Sequence, residues 1–552
     1  MLPSLTALHV DTPKTSRSTI DPKRLRSEAS TKDVTSLADM LESLQPELRE
    51  SVLLALAVED CKGLNGICQV NHQFEDICND PLFWQSALRA KGWMPDWSAP
   101  SSPGGMTPRA YFEMVCTMNE RHQAALLALR RDTTTIEMSA FANCTSLALT
   151  HLPPHLTTIG GRAFVGCTSL ALTELTPQLT TIGTNAFYGC TSLALTHLPP
   201  HLTTIEYAAF AKCTSLALTH LPPHLTTIEA YAFRLCTSLA LTELPPNITT
   251  IGSYAFAKCT SLALTHLPPH LTTIEDFAFY ECTSLALTHL PPHLTTIEAD
   301  AFQGCTSLAL TEFPPEITTI EPYAFAGCTA LALTHLPPNL TTIEYHAFRE
   351  CTSLALTHLP PNLITIERYA FSGCTSLALT HLPPNLTTIE YAAFYECTSL
   401  ALTHFEMPPN LTTIGISAFE GCTSLALTHL PTNLTTIKAY AFRLCTSLAL
   451  TELSPNLTTI EISAFERCTT LALTHLPPAL TTIEEAAFLD CTSLALTHLP
   501  TNLITIKAYA FSGCTSLALT HLPPNLTKLE ETAFSGCVNF LGGAFAALFA
   551  IS

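Results

Sequence analysis

A column of histidines is the first feature of this sequence that could do chemistry. One position of a 23-residue unit, CTSLALTHLPPHLTTIEYAAFAK in the copy at Cys190, holds histidine in thirteen copies and glutamate in four. If the units stack, neighbouring imidazoles lie ~5 Å apart, close enough to share a divalent metal or to titrate together near pH ~6.5. The glutamates are scattered and no second ligand type recurs beside the histidines, so duplication of one exposed side chain explains the column better. We expect no metal and no cofactor. The histidines are His151, His197, His220, His266, His289, His335, His358, His381, His404, His429, His475, His498 and His521.

A column of cysteines accompanies the histidines. Eighteen of the 22 cysteines are the first residue of the unit, from Cys144 to Cys537. Stacking would bring successive thiols within reach of a disulfide, but a uniform column offers no unique pairing, and a buried free cysteine behaves as a small hydrophobe. The paired Cys/His spacing of a zinc site is also missing. We therefore expect reduced thiols in the core.

Tyrosines mark the positions of the unit that vary most. Twelve of the 13 tyrosines lie in the repeats, in three of the least constant positions, and arginines share these positions. Tyrosine and arginine dominate binding hot spots, so these positions suit a recognition surface. Neutral drift at exposed turns explains the same pattern, and both interpretations stay open. The predicted partner-binding residues are Tyr207, Tyr231, Tyr254, Tyr280, Tyr323, Tyr345, Tyr369, Tyr391 and Tyr440.

The repeat itself must position these residues. Of the 17 intervals between lead cysteines, 16 are 23 residues long, and the exception is the 25-residue step from Cys397 to Cys422. A unit of this size cannot bury its apolar face alone, so the pattern predicts a solenoid. In the copy at Cys213 we predict a short parallel strand over residues 216–221, ended by prolines. A second extended piece should cover residues 225–228, and a helical turn should form at Ala232-Phe233.

The unit resembles the BspA-like class of leucine-rich repeats, whose pattern is CxxLxxIxIPxxVxxIGxxAFxxC. The matching elements here are Cys-Thr-Ser-Leu, the Leu-Pro step, Leu-Thr-Thr-Ile and Ala-Phe, over residues ~133–539. Two features depart from the pattern: glutamate mostly replaces the glycine after the isoleucine, as at Glu229, and the strand isoleucine is replaced. The resemblance implies a leucine-rich-repeat stack of short parallel strands with helical turns.

An apolar, helical pattern precedes the repeats, and residues 44–88 resemble an F-box. The similarity lies in the phrase LQPEL, in the leucines that follow it and in Phe83-Trp84. It implies a small all-α domain that docks on the Skp-type adaptor of a cullin ubiquitin ligase. A helical cap that binds no adaptor is the alternative. The docking positions carried over from the family are Leu44, Pro46, Leu48, Val52, Leu56 and Leu64.

Composition limits the organisation and the partners. We expect a disordered segment over residues 1–36, the F-box-like domain over 37–97, a linker and one capping helix over 98–132, the solenoid over 133–539 and an apolar tail over 540–552. The net charge is −20, which argues against nucleic acid, because phosphate binding needs a basic stripe. No apolar run reaches the ~18 residues of a membrane span, and no secretory signal is recognisable. These features predict an intracellular protein, cytoplasmic or nuclear, without a membrane partner.

The predicted function is therefore binding. The sequence contains no recognisable catalytic carboxylate pair, Ser-His-Asp arrangement or glycine-rich phosphate loop, so we expect no enzyme. An F-box followed by repeats resembles a substrate receptor that delivers an unknown protein target to a Skp-cullin ubiquitin ligase. Two alternatives remain open: a surface or secreted BspA-like adhesion protein, and a plain intracellular scaffold.

Overall fold

The computed structural model describes residues 49–50, 53–54, 75–91, 107–402 and 408–537. It divides into two compact units, Met1–Asn119 and Glu120–Ser552. The disordered segment, the tail and all six adaptor-docking positions predicted above lie outside the described residues. No helix in the described ranges is long and apolar enough to cross a membrane. The four helices with defined bounds are α1 (Glu75–Asn79), α2 (Pro81–Lys91), α3 (Pro108–Thr117) and α4 (Glu120–Ala128).

The first unit is held by the contact between α2 and α3. Helix α2 begins at Pro81, as the Asp-Pro step predicts. The buried Trp84 ring lies 5.1 Å from the Phe112 ring, measured between centroids. Its indole Nε1 donates a 2.7 Å hydrogen bond to the carbonyl of Cys78, and the Arg109 guanidinium lies over its face. Cys78 in α1 is disulfide-bonded.

The single capping helix predicted after the linker is instead two helices. The chain breaks at Met118, which has extended backbone angles (φ −77°, ψ 150°). Helix α4 belongs to the second unit and does contact the first turn segment of the solenoid. There Arg121 donates to the carbonyl of Ser139, and the His122 ring nitrogen pairs with the carbonyl of Ala142. Helix α4 therefore contacts the first coil, and its role as a cap stays a prediction.

The solenoid is a stack of very short parallel strands, one per coil. Each strand is a Thr-Ile pair, except β18, and within a sheet each strand pairs in register with the strand of the next coil. The ladder is divided into four sheets, β1–β3, β4–β8, β9–β15 and β16–β18. The strands are β1 (Thr135–Ile136), β2 (Thr158–Ile159), β3 (Thr181–Ile182), β4 (Thr204–Ile205), β5 (Thr227–Ile228), β6 (Thr250–Ile251), β7 (Thr273–Ile274), β8 (Thr296–Ile297), β9 (Thr319–Ile320), β10 (Thr342–Ile343), β11 (Thr365–Ile366), β12 (Thr388–Ile389), β13 (Thr413–Ile414), β14 (Thr436–Ile437), β15 (Thr459–Ile460), β16 (Thr482–Ile483), β17 (Thr505–Ile506) and β18 (Lys528–Leu529).

The strand predicted over residues 216–221 does not form. In that stretch the backbone N–H of Ala217 donates to the carbonyl of Leu195 in the preceding coil. One such bond per coil is too little for a ladder, although Leu216 and Leu218 are fully buried as the alternation requires. The extended piece predicted over residues 225–228 is confirmed, because it contains β5.

The helical turn predicted at Ala-Phe is a chain of tight turns. In the coil at Cys213, Tyr231 and Leu235 have left-handed backbones (φ 60° and 63°), which interrupt any helix. The N–H groups of Tyr231, Phe233 and Leu235 donate at 2.8 Å to carbonyls of the next coil. The N–H of Arg234 instead closes a turn on the carbonyl of Tyr231. Every second N–H group thus links neighbouring coils, and the N–H groups between them close the turns.

Hydrogen bonds between coils run in two directions along the axis. In the turn segments alternate N–H groups reach forward to the following coil, as described for Tyr231. Along the strands each N–H reaches backward, so that the N–H of Glu229 donates to the carbonyl of Ile205 at 3.1 Å. Each coil is therefore tied to both neighbours by donors and by acceptors.

A column of phenylalanine rings fills the interior. The phenylalanine of each Ala-Phe pair, from Phe141 to Phe534, is at most 2% exposed. Successive rings lie parallel, with centroids 5.3–5.8 Å apart and interplanar angles of 3–11°. The separation is that of offset stacking, and each inner ring depends on a neighbour on both sides.

The cysteine column lies in the core as reduced thiols. From Cys167 to Cys537, each Sγ donates to the carbonyl of the phenylalanine 26 residues earlier (28 for Cys422), at 3.0–3.1 Å. Burial raises the pKa of these thiols; that of Cys190, for example, is raised to about 12. The prediction of free thiols is confirmed for the column, whose members are buried except for the half-buried Cys537. Cys78, outside the column, is not a free thiol.

We expect a truncated phenylalanine to destabilise the stack most in its middle. Phe325→Ala should lower the free energy of unfolding by about 3–5 kcal/mol, because it removes a ring stacked on both sides. Phe164→Ala, near the start of the stack, should lower it by less. Urea unfolding followed by circular dichroism measures both. Ile364→Thr is the matched control, because the side chain is 50% exposed and most other coils have threonine there. Equal, negligible losses along the series would contradict this packing.

We also expect the column thiols to be unreactive in the native state. A thiol reagent at pH 8 should label few of them, because the thiolate is the reactive form and the raised pKa suppresses it. After denaturation without a reductant, all eighteen lead cysteines should react. Mass spectrometry of the labelled peptides assigns each site. Disulfides between lead cysteines would overturn the assignment.

Candidate partner-binding site

The variable tyrosines line one edge of the solenoid, which we call the turn edge. In each coil it consists of the two residues before the Ala-Phe pair and the residue directly after it. The residue directly before the pair, such as Tyr231, has a left-handed backbone in every described coil from Ser139 to Tyr509. These residues form a column of their own, which we call the turn column.

The first aromatic cluster of the turn edge extends over four coils. In the turn column, Tyr231 stacks on Tyr254 and Tyr254 stacks on Phe277, with ring centroids 4.7 and 4.4 Å apart. Tyr207 leans on Tyr231 at 5.3 Å, and Tyr280 meets the edge of Phe277 at 5.7 Å. Tyr207, Tyr231 and Tyr254 therefore contact one another directly. Tyr280 joins them through Phe277, which the tyrosine pattern missed.

The second aromatic cluster has a histidine at its centre. His346 stacks between Tyr323 at 4.4 Å and Tyr369 at 4.6 Å. Tyr345 stands perpendicular to Tyr323, and Tyr391 nearly perpendicular to Tyr369. Burial and the nearby arginines lower the pKa of His346, so this ring stays neutral at pH 7. Phe277 and His346 could have been found from their shared position in the unit.

Exposure separates the predicted tyrosines into two groups. Tyr207, Tyr391 and Tyr440 are 43%, 40% and 37% exposed, so a partner can reach them. The other six are half-buried, and neighbouring rings of the two clusters cover much of their surface. We infer that these six mainly hold adjacent coils together, while the exposed three are available for binding.

Arginines at the turn edge lie over the tyrosine rings. The Arg234 guanidinium is 5.8 Å from the Tyr231 centroid and 5.9 Å from that of Tyr254. Arg368 lies 5.4 Å from the centroid of Tyr345. All three distances are within the range of a cation–π contact.

Ion pairs along the turn edge also join adjacent coils. Arg443 sits between two carboxylates of adjacent coils, 2.8 Å from Glu420 and 3.1 Å from Glu466. Its guanidinium carbon also lies 6.0 Å from the Tyr440 ring. Aromatic rings and carboxylates of the turn edge therefore together hold the arginine guanidinium groups.

The glutamates that replace the family glycine have a structural role. Glu229 accepts a 2.8 Å hydrogen bond from the backbone N–H of Tyr207, 22 residues earlier, and Glu275 does the same for Ser253. The carboxylate thus completes the contact between two coils.

The histidine column is fixed by its own threonines. In all twelve described members Nδ1 pairs with the hydroxyl of the preceding threonine, at 2.8–3.1 Å. His404 lies outside the described residues. Within the described ranges no group of three or more His, Cys, Asp or Glu side chains could hold a metal ion.

Comparison with known proteins identifies the repeat. The family model described as the BspA type leucine rich repeat region matches residues 125–240, 203–332, 341–471 and 417–541. No curated protein sequence matches the chain.

Several solved structures are similar to it. A leucine-rich repeat protein from Bacteroides ovatus is 26% identical, with 61% of this chain and 81% of that one covered and a TM-score of 0.42. A leucine rich cell surface protein from Faecalibacterium prausnitzii is 20% identical, with 74% and 81% covered and a TM-score of 0.26. The predicted leucine-rich-repeat solenoid is confirmed by the family match, which spans well over half of the sequence. The chain therefore belongs to the BspA-type leucine-rich repeat family.

Proposed function

We propose that the chain is a non-catalytic binding protein whose turn edge holds a protein partner. The observation that carries this proposal is the exposure of Tyr207, Tyr391 and Tyr440 on a scaffold whose other surface positions hardly change. The phrase SLALTHLPP offers a partner the same chemistry at nearly every coil, whereas a specific partner needs local differences. The exposed tyrosines, of which Tyr440 lies beside Arg443, supply those differences.

Of the two settings that the sequence leaves open, we favour display at a cell surface or secretion. Many BspA-like proteins, the class that the repeat resembles, are surface or secreted adhesion proteins. The disulfide at Cys78 also favours an oxidising compartment. The buried column thiols do not argue against it, because their high pKa protects them from oxidation.

The role of ubiquitin-ligase receptor remains a sequence-based prediction. It rests on the similarity of residues 44–88 to an F-box, and the family match begins only at residue 125. Co-precipitation of the full chain with a Skp-type adaptor tests it, with Leu48→Asp as the variant that should abolish binding. Binding that is absent, or unchanged in the variant, removes the ligase interpretation.

Surface display makes a prediction of its own. A membrane-impermeant amine biotinylation reagent applied to intact cells that express the chain should label it. The solenoid offers exposed lysines such as Lys528, whose side chain is 62% exposed. A cytosolic enzyme in the same cells should stay unlabelled. Labelling that appears only after lysis would refute surface display.

We further predict that tyrosines of the turn edge contribute more to binding than the histidine column. Once a partner has been isolated, the combined substitution of Tyr207, Tyr391 and Tyr440 by alanine should weaken binding at least tenfold, since an anchor of this type is worth about 2 kcal/mol or more. Substitution of His335, His358 and His381 by alanine is the matched control and should have little effect. Titration calorimetry ranks the two variants, and the opposite ranking would assign recognition to the histidine column.

A further inference from the structure

In the turn column, one coil between the two aromatic clusters lacks a ring, and we call this position the empty place. Phe277 ends the first cluster and Tyr323 begins the second in this column. The coil between them has Asp300 at the same position, with the same left-handed backbone (φ 57°). Its N–H donates to the carbonyl of Pro322, as the column requires. A short side chain therefore stands where six neighbouring coils, three on each side, have a ring.

The missing ring leaves a slot of defined width. Rings in adjacent coils of this column are 4.4–4.7 Å apart. Two steps of the stack separate Phe277 from Tyr323, so their rings should be about 9 Å apart. That distance accommodates one planar group stacked on both rings.

The chemistry of the slot is acidic. The Asp300 carboxylate makes no hydrogen bond or ion pair within the described residues. Asp276 lies in the preceding coil and Glu298 in the same coil as Asp300, and their carboxylates accept backbone N–H groups. Residues 259–348 contain nine acidic residues and no lysine or arginine. The planar group that fits this slot is therefore cationic.

The chain itself shows how such a group is held. Arg234 lies over Tyr231 and Tyr254 of the same column, and Arg443 lies between two carboxylates. Those guanidinium groups come from the position after the Ala-Phe pair. In the coil with the empty place that position is Gln303, which is neutral, so the chain supplies no guanidinium of its own there.

We propose that this slot binds an arginine side chain of the partner, with its guanidinium stacked between Phe277 and Tyr323 and paired with Asp300. Arginine fits better than lysine, because its planar ion stacks on rings and presents paired donors to a carboxylate. The inference rests on the proposed function, since it names the chemistry that the turn edge recognises in a protein partner.

The test uses a minimal probe. N-acetyl-Gly-Arg-Gly-amide is titrated into the full chain and followed by proton NMR, alongside the same peptide with citrulline, which is planar but neutral. We expect ring currents to shift the arginine δ-methylene signal upfield, and citrulline to bind about tenfold more weakly or worse because it lacks the charge-assisted bond. Equal binding of the two peptides would overturn the proposal.

Two substitutions at one position separate shape from charge. Asp300→Tyr fills the slot with the ring that other coils carry and should abolish binding without unfolding the chain. Asp300→Asn keeps the slot open and should weaken binding about tenfold. Glu485→Gln, which removes an exposed carboxylate of the turn edge eight coils away, is the matched control and should bind normally. Thermal unfolding checks that each variant is folded. Wild-type affinity in Asp300→Tyr would refute the site.

Binding should also depend on pH. Burial, with a contribution from Asp276, raises the pKa of Asp300 to about 6, and burial likewise raises that of Glu298. Tyr254 and Tyr280, which sense the Asp300 charge, stay neutral because their pKa values are raised. Affinity should therefore fall as the pH drops through about 6, and this loss should be much smaller in Asp300→Asn.

The outcomes of these experiments separate the two proposals. An unchanged pH profile in Asp300→Asn would exclude Asp300 as the paired carboxylate. If the arginine peptide fails to bind while the exposed tyrosines still select an isolated partner, the slot is wrong and the binding function stands. If neither the peptide nor the tyrosine variants show an effect, both proposals fall.

Discussion

In the described coils, equivalent residues of successive units lie against one another, and this register is the constraint on which the structure depends. A side chain is therefore acceptable only if it tolerates a copy of itself about 5 Å away. Phenylalanine meets this condition by offset stacking, and cysteine meets it by donating its S–H to a backbone carbonyl rather than to another cysteine. Threonine meets it in the same way, as when the Thr180 hydroxyl donates to the carbonyl of Thr157.

A charged side chain meets the same condition only when other groups offset the repulsion between it and its copy. Glutamate recurs after the strand in many coils, and stacked carboxylates repel one another; at Glu344 burial and the neighbouring glutamates raise the pKa. The carboxylate is useful because it reaches a backbone N–H of the preceding coil, as Glu229 does for Tyr207. Where arginine enters, as at Arg443, it alternates with Glu420 and Glu466. The turn edge is thus the part of the coil where neighbouring coils carry different residues.

Periodicity predicted the architecture and the core, because the interior positions Phe233, Leu216 and Ile228 are apolar in every copy. It did not predict the strand position. Leu216 and Leu218 alternate like a strand, yet hydrogen bonding concentrates at Thr-Ile, and alternation of burial alone does not distinguish a hydrogen-bonded strand from an extended chain. The sequence predicts a helical turn at Ala-Phe, because a residue type such as tyrosine at position 231 does not indicate a left-handed backbone. The tyrosine pattern does not include Phe277, Asp300 and His346, although these residues occupy the same position of the unit as Tyr231.

The opposite directions of the hydrogen bonds between coils have an electrostatic consequence. Along the turn segments the peptide N–H groups point toward the C-terminal end, whereas along the strands they point toward the N-terminal end. The two sets of peptide dipoles offset each other, so the solenoid does not acquire the end charges of a long α-helix. Each terminus presents donors on one edge and acceptors on the other, and α4 meets the acceptor edge with Arg121 and His122. A molecule that extends the stack must satisfy both edges at once, which makes end-to-end growth far more selective than contact with an ordinary sheet edge.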